Sequence, residues 1–161
     1  QHVASNPLAT ENVDSFETLG RVLAQDLVSS VAVPPLDNSA MDGYAVRAAD
    51  VTQPQSVLPV SQRIAAGQVG AQLAPGTCAR IFTGAPVPAG ADAVVMQEEC
   101  TVVDAPDAAV TPRVQIHSTP LPGQNIRRSG EDVARGDVVL AAGTSVTANP
   151  MLFFLAAWSA T

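Results

Sequence analysis

Cys78-Ala79-Arg80-Ile81-Phe82-Thr83-Gly84-Ala85-Pro86-Val87-Pro88 is a short strand-like run stopped by a Thr-Gly turn and two prolines. The same texture recurs from Ser30 to Val139, in Val31–Val33, Tyr44–Arg47, Val57–Val60, Arg63–Ala65, Ala93–Gln97, Thr101–Val103, Arg113–Ile116 and Val138–Leu140. Runs of this length, cut by Pro, Gly and Asp and lacking a helical period, read as an all-β sandwich or barrel-like unit. Most of the 13 prolines lie in this region, which implies many loops and edge positions.

The ends read differently. Asp14 followed by Glu17 has the spacing of a helix-start capping pair, and Leu19, Val22, Leu23 and Leu27 then make one apolar stripe. This predicts a helix over 15–27. Asn149 as N-cap with Pro150 at the first helical position predicts a second helix. The expected fold is therefore mainly β with flanking helices. A β-rich inserted subdomain would span 30–136, and a small helical or mixed subdomain would form from both chain ends, 1–29 and 137–161.

Composition narrows the function. Hydrophobic residues make up 47% of the 161, enough for a core, but aromatics are only 4%, so Val, Leu, Ile and Ala must build it. The net charge of −7 argues against a nucleic-acid surface. All eight basic residues are arginines, which excludes a lysine-dependent phosphate loop or Schiff base. Cys78 and Cys100 have no CxxC spacing, and His2 and His117 stand alone, so a zinc site is not expected. The thiols read as buried or half-buried groups of a reducing cytosol.

The most apolar stretch, 151–158, falls far short of the ~20 residues that span a bilayer. No leader precedes the first predicted helix, so a cytoplasmic protein without membrane attachment is expected. Gln1 at the start and an apolar run almost at the end lead us to expect a fragment.

Three loops carry the candidate chemistry. Asp37-Asn38-Ser39-Ala40-Met41-Asp42-Gly43-Tyr44-Ala45-Val46 packs carboxylates, an amide and a hydroxyl around a glycine. It reads either as Asx-turns and a tight Asp-Gly turn, or as a ligand-facing loop. In the second reading Asn38 and Ser39 hydrogen-bond a polar ligand, and Asp42 holds a magnesium ion or orients a donor. Thr83-Gly84 after a strand reads as a plain turn or as an anion cradle. Arg127 and Arg128 beside Glu131 and Asp132 read as a surface ion-pair cluster or as an oxyanion clamp with a metal-binding edge.

Asp37–Arg47, Thr83–Pro88, Ala93-Val94-Val95-Met96-Gln97-Glu98 and Gln124-Asn125-Ile126-Arg127-Arg128 occur in that order, and together they resemble the molybdopterin molybdenumtransferase family (MoeA and the gephyrin E domain). The resemblance runs from about Leu19 to Ala156. Ser129 departs from it, standing where many relatives carry a third arginine. It implies an elongated homodimer of four subdomains, of which this chain supplies the first two. The implied reaction inserts molybdate into adenylylated molybdopterin and releases AMP, assisted by Mg2+, with a molybdopterin-adenylating enzyme as donor.

Carried over by position, Asp42 and Asp132 would be acidic catalytic residues, with Asp42 also the metal candidate. Thr83 and Arg127 would bind substrate, with Ser39 and Asn38 in support. Two rivals remain at this point: a gephyrin-like scaffold or interaction module without catalysis, and a stand-alone anion-binding β domain.

Overall fold

The computed structural model describes residues 9–103 and 112–147. Ten strands follow in order: β1 Leu27–Val28, β2 Asn38–Ser39, β3 Gly43–Val46, β4 Ser56–Ile64, β5 Cys78–Ile81, β6 Ala93–Met96, β7 Cys100–Val103, β8 Arg113–Ile116, β9 Ile126–Arg127 and β10 Val138–Leu140. The helical elements among the described residues are three-residue 3-10 turns at Ser15–Glu17, Ala48–Asp50 and Gln97–Glu99.

The expected flanking helices and helical subdomain are therefore corrected: the described fold is mainly β, without them. Where a helix was expected over 15–27, Asp14 does cap, its Oδ1 accepting the Phe16 N–H at 2.9 Å. Only one 3-10 turn follows. Gly20 then takes a left-handed φ of 79°. The backbone N–H groups of Gly20 and Leu23 donate to Val146 and Thr144 carbonyls across the chain, not back along a helix. The apolar stripe is no helix face either, since Leu19 and Val22 are 60% and 64% exposed. The helix start expected at Asn149-Pro150 lies outside the described residues.

The backbone divides into two units, one drawn from 1–33 and 133–161, the other from 34–132. In the first, the arms run antiparallel. Leu27 pairs with Leu140 and Val28 with Val138, and single bridges join Val22 to Ser145 and Val33 to Val133.

In the second unit six strands form one curled sheet in the order β6-β3-β5-β4-β8-β7. β3 lies antiparallel to both β5 and β6, while β4 and β5 make the parallel pair. The sequence divides β4 into two runs, but the structure makes it one strand. Its first part pairs antiparallel with β8, and a register shift between Val60 and Gln62 turns the rest onto β5. A bulge adds local twist, so one strand can serve both halves of a curled sheet.

β3 is buried along its whole length. Successive side chains alternate faces. Tyr44 and Val46 therefore join Val51, Leu58, Cys78, Val95, Val114 and Ile116 on one face. Ala45 joins Ile64, Leu73, Ala79, Ile81 and Val94 on the other. The sheet centre is thus fixed just beneath the loop that precedes β3.

Candidate functional site

That loop, Ala40–Asp42, links β2 to β3. Ser39, 1% exposed, donates its hydroxyl to the Met41 carbonyl at 2.6 Å and so folds the loop on itself. Gly43 is obligatory: a Cβ there would lie 1.9 Å from the Val95 carbonyl oxygen. This close pairing with β6 holds the following turn in place. The Gln97 N–H donates to the Asp42 carbonyl at 3.0 Å.

The Asp42 side chain points to the loop after β5. Its Oδ1 accepts both the Thr83 N–H and the Thr83 hydroxyl, each at 2.8 Å. These two bonds, the backbone one first, hold the carboxyl below its ordinary value of 3.8. The Gly84 N–H donates to the Ser39 carbonyl at 2.9 Å. The donors read from sequence as an anion cradle are therefore engaged by protein acceptors in this structure.

A magnesium ion was expected at Asp42. One of its carboxylate oxygens already takes two donors, and the described residues hold no group of three or more His, Cys, Asp or Glu able to bind a metal. Hard cations of this kind need several oxygen ligands. Magnesium commonly takes one or two carboxylates and completes its shell with water and substrate phosphate oxygens, and Asp42 Oδ2 accepts no hydrogen bond among the described residues.

The third loop meets the first through backbone pairing. Asn38 stands opposite Arg127 and Ser39 opposite Ile126, and the Ala40 N–H donates to the Asn125 carbonyl. Arg127 Nη2 donates to both oxygens of Asp132, at 2.6 and 2.7 Å. This bond to Asp132 raises the Arg127 pKa above its ordinary value. Arg128 Nη1 donates to Asp37 Oδ2 at 2.6 Å, and the Ser129 N–H to Asp37 Oδ1 at 2.8 Å. The Ser129 bond, then the Arg128 bond, lower the Asp37 pKa from 3.8.

These pairs are open to solvent, with side chains 38% to 58% exposed. Exposed ion pairs are weak in net terms.

Of the residues read from sequence, the structure joins Asp42 to Thr83 and Arg127 to Asp132 directly, with β2 and β9 linking the two pairs. Ser39 and Asn38 turn toward backbone. The Asn38 amide, oriented as its neighbours require, donates to the Leu36 and Asp37 carbonyls at 3.3 Å. Sequence reasoning passed over Asp37 as an anchor and Arg80 and Gln97 as neighbours of Asp42. For Arg80 a signal exists: it alternates with the apolar Ala79 and Ile81 and lies two residues from Phe82, so a strand puts both on one face.

Comparison with known proteins settles the family. The family described as "MoeA N-terminal region (domain I and II)" matches residues 1–158. The chain belongs to that family. It is 41% identical over 141 residues to the molybdopterin molybdenumtransferase of Haemophilus influenzae, covering 88% of this chain and 33% of that protein. It is 48% identical over 143 residues to molybdopterin molybdenumtransferase 2 of Mycobacterium tuberculosis, covering 86% of this chain and 33% of that one. The crystal structure of the Pyrococcus horikoshii molybdopterin biosynthesis MoeA protein superposes with a TM-score of 0.79 at 37% identity, covering 92% of this chain and 38% of that one. The chain thus spans about a third of the length of the curated relatives it matches. No helix among the described residues is long and apolar enough to cross a membrane.

Proposed function

We propose that this MoeA N-terminal chain supplies one wall of the site at which molybdate is inserted into adenylylated molybdopterin with release of AMP. The observation that carries the proposal is the Asp42–Thr83 contact at the sheet end, in a chain whose relatives are named molybdopterin molybdenumtransferases. Exchanging a nucleotide phosphate for another oxyanion needs fixed donors and balanced charge more than a protein nucleophile. Arg127 is suited to clamp an anionic oxygen on exchange with Asp132. Thr83 presents a hydroxyl already ordered by Asp42. Asp42 and Asp132 present carboxylate oxygens that accept and orient donors, and Ser39 and Asn38 hold the loop in shape.

The complete protein would act as a homodimer in the cytoplasm, with a molybdopterin-adenylating enzyme as donor of the nucleotide-bearing substrate. Magnesium belongs to this proposal only as a cofactor whose ligands come in part from beyond this chain.

The test is molybdate-dependent AMP release from adenylylated molybdopterin by the complete gene product that carries this chain. Release that requires molybdate supports the reading. A folded protein that releases no AMP overturns it in favour of a binding scaffold.

A further inference from the structure

Arg80 occupies an unusual place for an arginine. It lies in β5 between the buried Ala79 and Ile81, on the face shared with Tyr44. Its Cζ sits 4.5 Å from the centroid of the Phe82 ring and 5.3 Å from that of Tyr44. Among the described residues no carboxylate pairs with it: its Nη1 donates to the Gly43 carbonyl at 2.8 Å and its Nη2 to Gln97 Oε1 at 2.6 Å. The backbone N–H of the same Gln97 donates to the Asp42 carbonyl. The guanidinium and Gln97, themselves hydrogen-bonded, thus engage the two successive carbonyls of Asp42 and Gly43.

Phe82, on which the guanidinium stacks, immediately precedes Thr83. Arg63 lies over the same ring at 4.8 Å, so the ring is held by two cations. Arg80 therefore touches both partners of the Asp42–Thr83 contact through their neighbours: the Asp42–Gly43 peptides on one side, Phe82 on the other. A planar, forked and stacking cation makes all of these contacts at once, and a lysine does not.

We propose that Arg80 is a positioning residue, whose guanidinium locks the loop before β3 to the turn after β5 and so sets the geometry of the Asp42 carboxylate against Thr83. The catalytic part of this inference rests on the proposed function; the geometric part does not. Misplacing a reacting or orienting group by about 1 Å costs roughly a hundredfold in rate, so a lock of this kind acts on turnover more than on ligand affinity.

The experiment compares wild type, Arg80→Gln and Arg80→Lys in the complete gene product, with two readouts. In AMP release, both variants are expected to lose about tenfold or more in kcat with KM little changed. In native-state hydrogen exchange, the Thr83 amide is expected to exchange about tenfold faster in both variants, while the β6 core amides of Val94 and Val95 keep wild-type rates.

Full rescue by Arg80→Lys would reduce the role to charge alone and overturn the proposal. A loss confined to KM would place Arg80 on the ligand, and exchange accelerated uniformly across β6 would make it a plain stability residue. Either result overturns the proposal, as does unchanged Thr83 exchange. If wild type itself releases no AMP, the proposed function fails, and the exchange readout alone still decides whether Arg80 holds the Asp42–Thr83 geometry.

Discussion

Asp42 and Thr83, 41 residues apart in the chain, meet on a single oxygen: Asp42 Oδ1 accepts both the N–H and the hydroxyl of Thr83 at 2.8 Å. β3 and β5, which flank each other in the sheet, end beside these residues, with Gly43 paired to Ile81. The contact is therefore built into the sheet register, and neither loop has to find the other.

Thr83→Ala removes one of the two donors and keeps the backbone one. The Asp42 carboxyl, held below 3.8 mainly by the Thr83 N–H and next by the hydroxyl, should titrate higher in the variant but stay under 3.8. Carboxyl carbon NMR across the acid range reads this directly. A midpoint unchanged from wild type would remove the hydroxyl from the account.

Gly43→Ala tests the close approach of β3 to β6. A methyl group 1.9 Å from the Val95 carbonyl oxygen cannot be accommodated without moving a strand. Overpacking of this kind should cost about 3 kcal/mol or more in urea unfolding. Wild-type stability in that variant would show that the strands are not packed as described.

Asp37 ties the third loop to the first and gives acid sensitivity with a definite sign. Its pKa is lowered in the fold by the Ser129 N–H and then by Arg128. The native state thus binds this proton less readily than the unfolded chain, so the contribution is present above the ordinary value of 3.8 and lost as pH falls through the lowered one. For a largely exposed pair the effect is small, about 1 kcal/mol or less. Asp37→Asn should lower stability by that amount at neutral pH and make no difference well below pH 3.8, as measured by denaturant midpoints at the two pH values.

Burial pushes the Cys78 thiol up to about 12, and burial also raises Cys100 to about 12. The thiolate is the reactive form, so both should resist alkylation at pH 8 and react quickly only after unfolding. Mass spectrometry of iodoacetamide adducts follows each site. Fast labelling of Cys78 in the folded protein would place it outside the core.

Much of the β unit was legible because its strands are short apolar runs with clear stops. Tyr44–Arg47, Cys78–Phe82, Ala93–Gln97 and Arg113–Ile116 correspond to β3, β5, β6 and β8 within a residue. The two runs of β4 hid a continuous strand because a bulge breaks the alternation between Val60 and Gln62. The expected helix over 15–27 failed for a different reason. Its period is real, but Gly20 in a left-handed conformation and the hydrogen bonds to 144–146 override it. Capping and periodicity describe one segment, whereas the partner of that segment lies more than a hundred residues away.

The candidate site shows the same division. Asp42 and Thr83 stood out by residue type and by resemblance. The pairing of Arg128 with Asp37, 91 residues apart, did not, because no local pattern couples them. Nor did the turn of Ser39 toward the Met41 carbonyl, since a hydroxyl in a polar loop reads equally well as a ligand contact.

The most direct test is molybdate-dependent AMP release by the complete gene product, comparing wild type with Asp42→Asn after a matched check of folding. Wild type is expected to release AMP, and the folded variant to lose about a hundredfold or more in rate. A folded Asp42→Asn protein that releases AMP at the wild-type rate would contradict the placement of Asp42 at the site.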